Sequence, residues 1–147
     1  MATSTYQSEL EVPVPVDQLF SWHENPGAFE RLTPPFDPVS VKKRNGGIDG
    51  GEVHIQMNLG PIPLTWVARH HDYIKNKQFF DEQVSGPFAS WNHKHLFEEI
   101  DSNSSKVLSL IHISEPTRPL YISYAVFCLK KNAETKVLHP LAQVYSR

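Results

Sequence analysis

The residues best placed to do chemistry lie in the run Trp91-x-His93-x-His95-x-Phe97. In an extended chain, side chains alternate between two faces, so these four point the same way. Two neighbouring runs offer matching sets: Trp66, Ala68 and His70 in one, Phe79, Asp81 and Gln83 in the other. With these faces aligned, three imidazoles, one carboxylate and two indoles line one concave surface. Three chemistries are open to such a set. Polar groups in an aromatic wall can orient a mostly apolar small molecule. Buried histidines can instead bond to Asp81, Gln83 or backbone carbonyls and hold a sheet together. His-x-His on a strand, completed by His70 or Asp81, can also bind a metal or move a proton. No Glu-x-x-His or other histidine-rich motif supports the third, so the reading assigns no metal, no cofactor and no catalytic residue. A binding role is favoured over an enzymatic one.

The elements that must position these residues are legible as patterns. Tyr6–Val12 alternates and reads as a strand. Val16, Leu19, Phe20 and His23 fall on one face of a helix, with Pro15 suited to its first turn. Asn25-Pro26 looks like a cap and first turn, predicting a second short helix over Pro26–Leu32 that Pro34-Pro35 must stop. Trp22, Phe29 and Leu32 on these helices would face the same surface, although plain core packing accounts for Phe29 and Leu32 equally well. Strands are expected at Val39–Arg44, Glu52–Leu59, Leu64–Tyr73, Gln78–Val84 and Phe88–Ile100. Asn45-Gly46-Gly47 and Asp49-Gly50-Gly51 supply turn residues, and Ser85-Gly86-Pro87 a tight turn. The basic run Lys42-Lys43-Arg44 reads as a solvated face. The order β-α-α followed by a meander places the chain in the α+β class, an antiparallel sheet with helices on one side.

Composition narrows the function. The chain has 147 residues, about one domain. A net charge of -2 argues against a nucleic-acid binder, which needs a basic face. No apolar run is long enough for a membrane helix. Met1–Thr5 shows no secretory signal, so a cytoplasmic location is expected. Cys128 is the only cysteine, which excludes an intrachain disulfide.

Taken together, several strings resemble the START-like (SRPBCC) superfamily. They are Trp22-His23, Pro26 through Phe36, Gly46-Gly47-Ile48 with Asp49-Gly50, and Trp66-Val67-Ala68. Phe79-Phe80-Asp81, Gly86-Pro87-Phe88 and the Trp91–Phe97 run complete them. The match looks close to a bacterial branch, of the polyketide cyclase/dehydrase and coenzyme Q-binding type, that stands alone or precedes an epimerase-like domain. The resemblance implies a helix-grip fold: a curved antiparallel sheet, two short N-terminal helices and a long C-terminal helix gripped across an apolar cavity. It implies a hydrophobic ligand (a lipid, quinone, sterol or polyketide-like molecule) and an epimerase-like domain or partner in the parent protein. Some members are cyclases or dehydratases, which would use cavity His or Asp groups for proton transfer.

Past Val107 the chain changes character. Residues 108–131 resemble an in-frame translation of a transposase-type sequencing adapter, Leu108–Arg118 its proximal half and Ile122–Leu129 its distal half. Lys130-Lys131 fits the start of a poly-A tail. On this reading 1–107 is an incomplete START-like domain, truncated before the grip helix, and 108–147 is an unselected tail. Residues 1–107 alone hold nine Lys+Arg and fourteen Asp+Glu, a net charge of -5. Leu108–Ile113 nevertheless alternates, so Lys106–Ile113 is expected to add as a final strand beside Phe88–Ile100, on an edge left open. With the helix missing, Trp66, Trp91 and Phe97 are expected to be unusually exposed, and ligand binding impaired.

Overall fold

The structure is a computed structural model and describes residues 3–25, 39–59 and 61–114. Among these residues, seven strands and one helix appear in the order β1 (Thr3–Val12), α1 (Val16–Glu24), β2 (Val39–Asn45), β3 (Glu52–Leu59), β4 (Ile62–Ile74), β5 (Gln78–Ser85), β6 (Ser90–Asp101) and β7 (Ser104–Ser114). They form one antiparallel sheet in the order β1-β7-β6-β5-β4-β3-β2. Every strand expected from alternation is present within a few residues. The second helix, Pro26–Leu32, with Phe29 and Leu32, and the region of the grip helix lie outside the described residues.

α1 follows its apolar spacing: Leu19, Phe20 and His23 are buried on the sheet side. The His23 Nδ1–H donates to the Leu19 carbonyl at 2.8 Å, so a ring that burial strips of water keeps a partner within its own helix. Tyr73 on β4 donates its hydroxyl to Glu24, tying the end of α1 to the sheet.

Turn chemistry sets the strand ends. Gly46 has φ +82°, and the neighbouring Gly51 packs so closely that a Cβ there would lie 2.5 Å from the Gly46 carbonyl carbon. Gly86, between β5 and β6, is needed for a different reason. A Cβ there would meet the Trp66 ring at 2.4 Å, so only glycine lets that turn close over the indole. β4 carries register shifts at Val67/Ala68 and His71/Ile74, with Asp72 at φ 51°. Such bulges re-aim side chains locally.

β7 begins at Ser104 and runs beside β6, as expected of Lys106–Ile113, and it pairs on its other side with β1, Thr3↔Ser114 through Val12↔Ser105. Among the described residues it is therefore an inner strand, where addition to a free edge was expected. The expected exposure of the inner-face aromatics is overturned: Trp66 is 9%, Trp91 6% and Phe97 5% exposed. Trp66 and Trp91 cover each other edge to face, and Phe97 is covered by Phe20 of α1.

Two apolar clusters occupy the inner face. One gathers Val53, Ile55, Trp66, Ala68, Phe88, Trp91, Ile111 and Ile113. The other joins Leu19 and Phe20 of α1 to Val12, Phe79, Phe97 and Val107.

Candidate functional site

Between the two clusters a belt of polar side chains crosses the sheet. Each strand contributes by alternation. β4 runs from Trp66 and Ala68 to His70, β5 from Gln83 through Asp81 to Phe79, β6 from Trp91 through His93 and His95 to Phe97. On β7, Ile113 and Ile111 give way to Ser109 and then Val107. Register aligns these positions into rows: His70 opposite Asp81, Asp81 opposite His93, and Phe79 opposite His95, which faces Ser109.

Asp81 is the hub. The His95 Nε2–H donates to its Oδ2 at 2.9 Å, and the Trp91 indole N–H reaches its Oδ1 at 3.4 Å. His93 Nδ1 lies 4.0 Å from the same Oδ2, and His93 Nε2 hydrogen-bonds the Ser109 hydroxyl. Burial by itself would raise the Asp81 carboxyl. The hydrogen bond from His95 and the nearby imidazoles of His93 and His70 outweigh it and hold the group below the usual carboxylate range. Burial pushes His93 down to about 3 and His23 down to about 4. His70 is lowered as well, again first by burial, while its Nδ1–H donates to the Gly51 carbonyl at 3.2 Å. Phe79 stacks on the His95 ring at 4.3 Å and fixes its plane. Gln83 bonds the backbone of Phe88 through both ends of its amide, so it holds the β5–β6 turn.

Of the sequence-expected residues, Trp66, His70, Phe79, Asp81, Gln83, Trp91, His93, His95 and Phe97 share this one face. Trp22 is on α1, partly buried at the edge of the second cluster and in edge contact with His23. Sequence reasoning missed two participants. Ser109 falls in the segment read as foreign; its place in the alternation with Ile111 and Ile113 was the available signal. His23 was recognised as a helix-face residue, but not as a buried ring 5.0 Å from Phe97.

Chemically, the belt offers an ionised carboxylate, two imidazoles packed 3.8 Å apart and a hydroxyl, set in aromatic walls. Trp66 adds an indole N–H that is buried and finds no partner among the described residues. A buried donor of this kind costs roughly 1–3 kcal/mol until it meets an acceptor. Asp81, His93 and His95 also place one ligating atom each within 4.8 Å of one another.

No family model and no curated protein matches the sequence. Solved structures do. Zhui aromatase/cyclase from Streptomyces sp. R1128 superposes with TM-score 0.76 at 12% identity, covering 99% of this chain and 95% of that one. A START superfamily protein from Mycobacterium smegmatis gives TM-score 0.60 at 13% identity over 90% and 96%. A nucleoside-diphosphate sugar epimerase from Corynebacterium glutamicum is 25% identical with TM-score 0.63, covering 72% of this chain. The match spans only 24% of that epimerase chain.

Proposed function

On the premise that this chain has the START-like (SRPBCC) fold, we propose that its inner face binds a hydrophobic small molecule of the lipid, quinone, sterol or polyketide class. The observation that carries this reading is the polar belt between two apolar clusters. Burying an ionised carboxylate at the centre of a sheet is costly unless it is paired; the belt pairs Asp81, and beside it the Trp66 indole N–H is left without an acceptor among the described residues. A ligand with an apolar body and one or two oxygens matches the face. Its body lies on the Trp66 and Trp91 side of the belt, away from the rings that Phe20 covers, and its oxygens accept from the belt or from the Trp66 indole N–H.

A thermal-shift screen of this chain and its full-length parent tests the reading. A ligand at a hundred times its Kd adds about 2.7 kcal/mol to stability, which such a screen detects. Stabilisation by at least one of the four classes is the expected outcome. Flat responses to quinones, sterols, fatty acids and polyketides alike would count against it.

One observation favours a second reading, a cyclase- or dehydratase-type enzyme. The His95–Asp81 pair can exchange a proton with a bound molecule at the belt, and a protein of like fold is described as an aromatase/cyclase. Turnover of a bound compound that disappears in Asp81→Asn moves the assignment to this reading. Binding without turnover keeps the first.

The parent protein carries or serves an epimerase-like domain; the 25% identical match within an epimerase chain supports this. Residues 108–147 are foreign to that parent, so Ser109, Ile111 and Ile113 belong to this chain's face alone, and the parent's own residues after Val107 supply their counterparts in the last strand as well as the long helix of the family. Reading the gene across codon 107 is expected to give a different continuation. An unchanged sequence through Arg118 in the source genome would overturn this.

A further inference from the structure

We infer that Asp81, His93 and His95 form a binding site for one divalent transition-metal ion of the zinc or iron(II) class. The inference goes beyond the ligand-binding reading and does not depend on it. Its first ground is convergence. Three groups from two adjacent strands each present one ligating atom within 4.8 Å of the others, with Asp81 Oδ2 2.9 Å from His95 Nε2 and 4.0 Å from His93 Nδ1. Two atoms held at about 2.0–2.2 Å from one ion lie no more than about 4.0–4.4 Å apart, so the 2.9 Å pair fits as it stands and the 4.0 Å pair fits with a small closing movement of His93.

The second ground is what lies behind the ligands. Metal-bound imidazoles and carboxylates ordinarily have their remaining polar atoms fixed by outer partners. Here the Trp91 indole N–H takes Asp81 Oδ1, leaving Oδ2 for the ion, and in this chain Ser109, from the segment read as foreign to the parent, takes His93 Nε2 and leaves Nδ1. Phe79 stacks on His95 and sets its plane. Binding requires His95 to give up the Nε2 proton it shares with Asp81, which a shift to the Nδ1–H tautomer supplies without loss of charge. Two imidazoles and one carboxylate suit zinc or iron(II) better than magnesium or calcium, which prefer all-oxygen sets. Three protein ligands leave coordination positions for water or for an oxygen of a bound molecule.

Zinc titration of the metal-free chain, read by calorimetry, tests the site, with cobalt(II) absorption reporting the ligand field. One-to-one saturable binding is expected. Ser109→Ala should weaken it roughly 10–100-fold by removing an outer partner, and His93→Ala and His95→Ala should weaken it more. His54→Ala and His112→Ala, whose rings bond to Glu52 and Thr5 away from the belt, should leave it unchanged. Should the belt variants fail to fold, nitrogen-15 spectra of the unaltered chain decide. Zinc is expected to move the His93 Nδ1 and His95 Nε2 resonances and to spare those of His54 and His112. No saturable binding, or shifts confined to the outlying histidines, overturns the proposal.

Discussion

Phe20→Ala is expected to destabilise the fold by about 3–5 kcal/mol, the largest effect of any single truncation in α1. Phe20 is fully buried, and its ring touches three others: Phe97 at 5.0 Å, Tyr73 at 5.6 Å and Phe79 at 6.3 Å. These partners stand on β6, β4 and β5, so one side chain from α1 is shared by three strands. Truncation removes the area burial and the edge-to-face contacts together, and leaves a space whose walls are held apart by the sheet. A domain of this size has only ~5–15 kcal/mol in total, so the variant sits near its unfolding threshold at ambient temperature. Urea unfolding of the variant beside the unaltered chain measures the loss. Ile62→Ala, at a site 50% exposed, should change stability by no more than about 0.5 kcal/mol. A Phe20→Ala loss no larger than the Ile62→Ala loss would show that α1 is not anchored as described.

That anchoring was partly visible in the sequence. The spacing of Val16, Leu19, Phe20 and His23 identifies the helix and its buried face, because a helix on a sheet must turn an apolar stripe inward. The strands were visible for the same reason at period two, and so was the sharing of one face by Trp91, His93, His95 and Phe97. What one strand cannot show is its register against the next. Placing Asp81 opposite His70 depends on a β4 strand with bulges, including a left-handed Asp72, and placing it opposite His93 depends on the β5–β6 register; no alternation signals either. The place of β7 was half visible: its run beside β6 was expected, its pairing with β1 was not. Alternation in Ser109, Ile111 and Ile113 makes a strand whatever the origin of the segment, but its pairing with β1 joins residues a hundred positions apart in sequence. Local pattern carries no information about contacts that distant. Ser109 therefore became recognisable as a partner of His93 only once the sheet was assembled.

Acidification is expected to weaken the fold between pH 6.5 and 5, before most carboxylates titrate. His23 and His93 carry the effect. Both rings are buried, and burial pushes them down to about 4 and about 3, whereas in the unfolded chain each takes up a proton near 6.5. The unfolded state then binds more protons than the folded one throughout this window, so stability rises with pH and is lost as pH falls. By pH 5 each histidine costs about 2 kcal/mol relative to neutral pH, a substantial part of a marginal total. Asp81, held below the usual carboxylate range, adds a loss of the same sign at still lower pH. The neighbouring His95 lowers both rings further. Urea midpoints measured at half-unit steps from pH 7.5 to 4.5 should fall steadily below 6.5. His23→Gln keeps a polar side chain that can reach the Leu19 carbonyl while removing the titrating ring, and should flatten the slope by about one proton's worth. Midpoints that stay level from pH 7 to pH 5 would mean that these rings meet water in the folded state, and with it that the inner face is wetter than its aromatic walls imply.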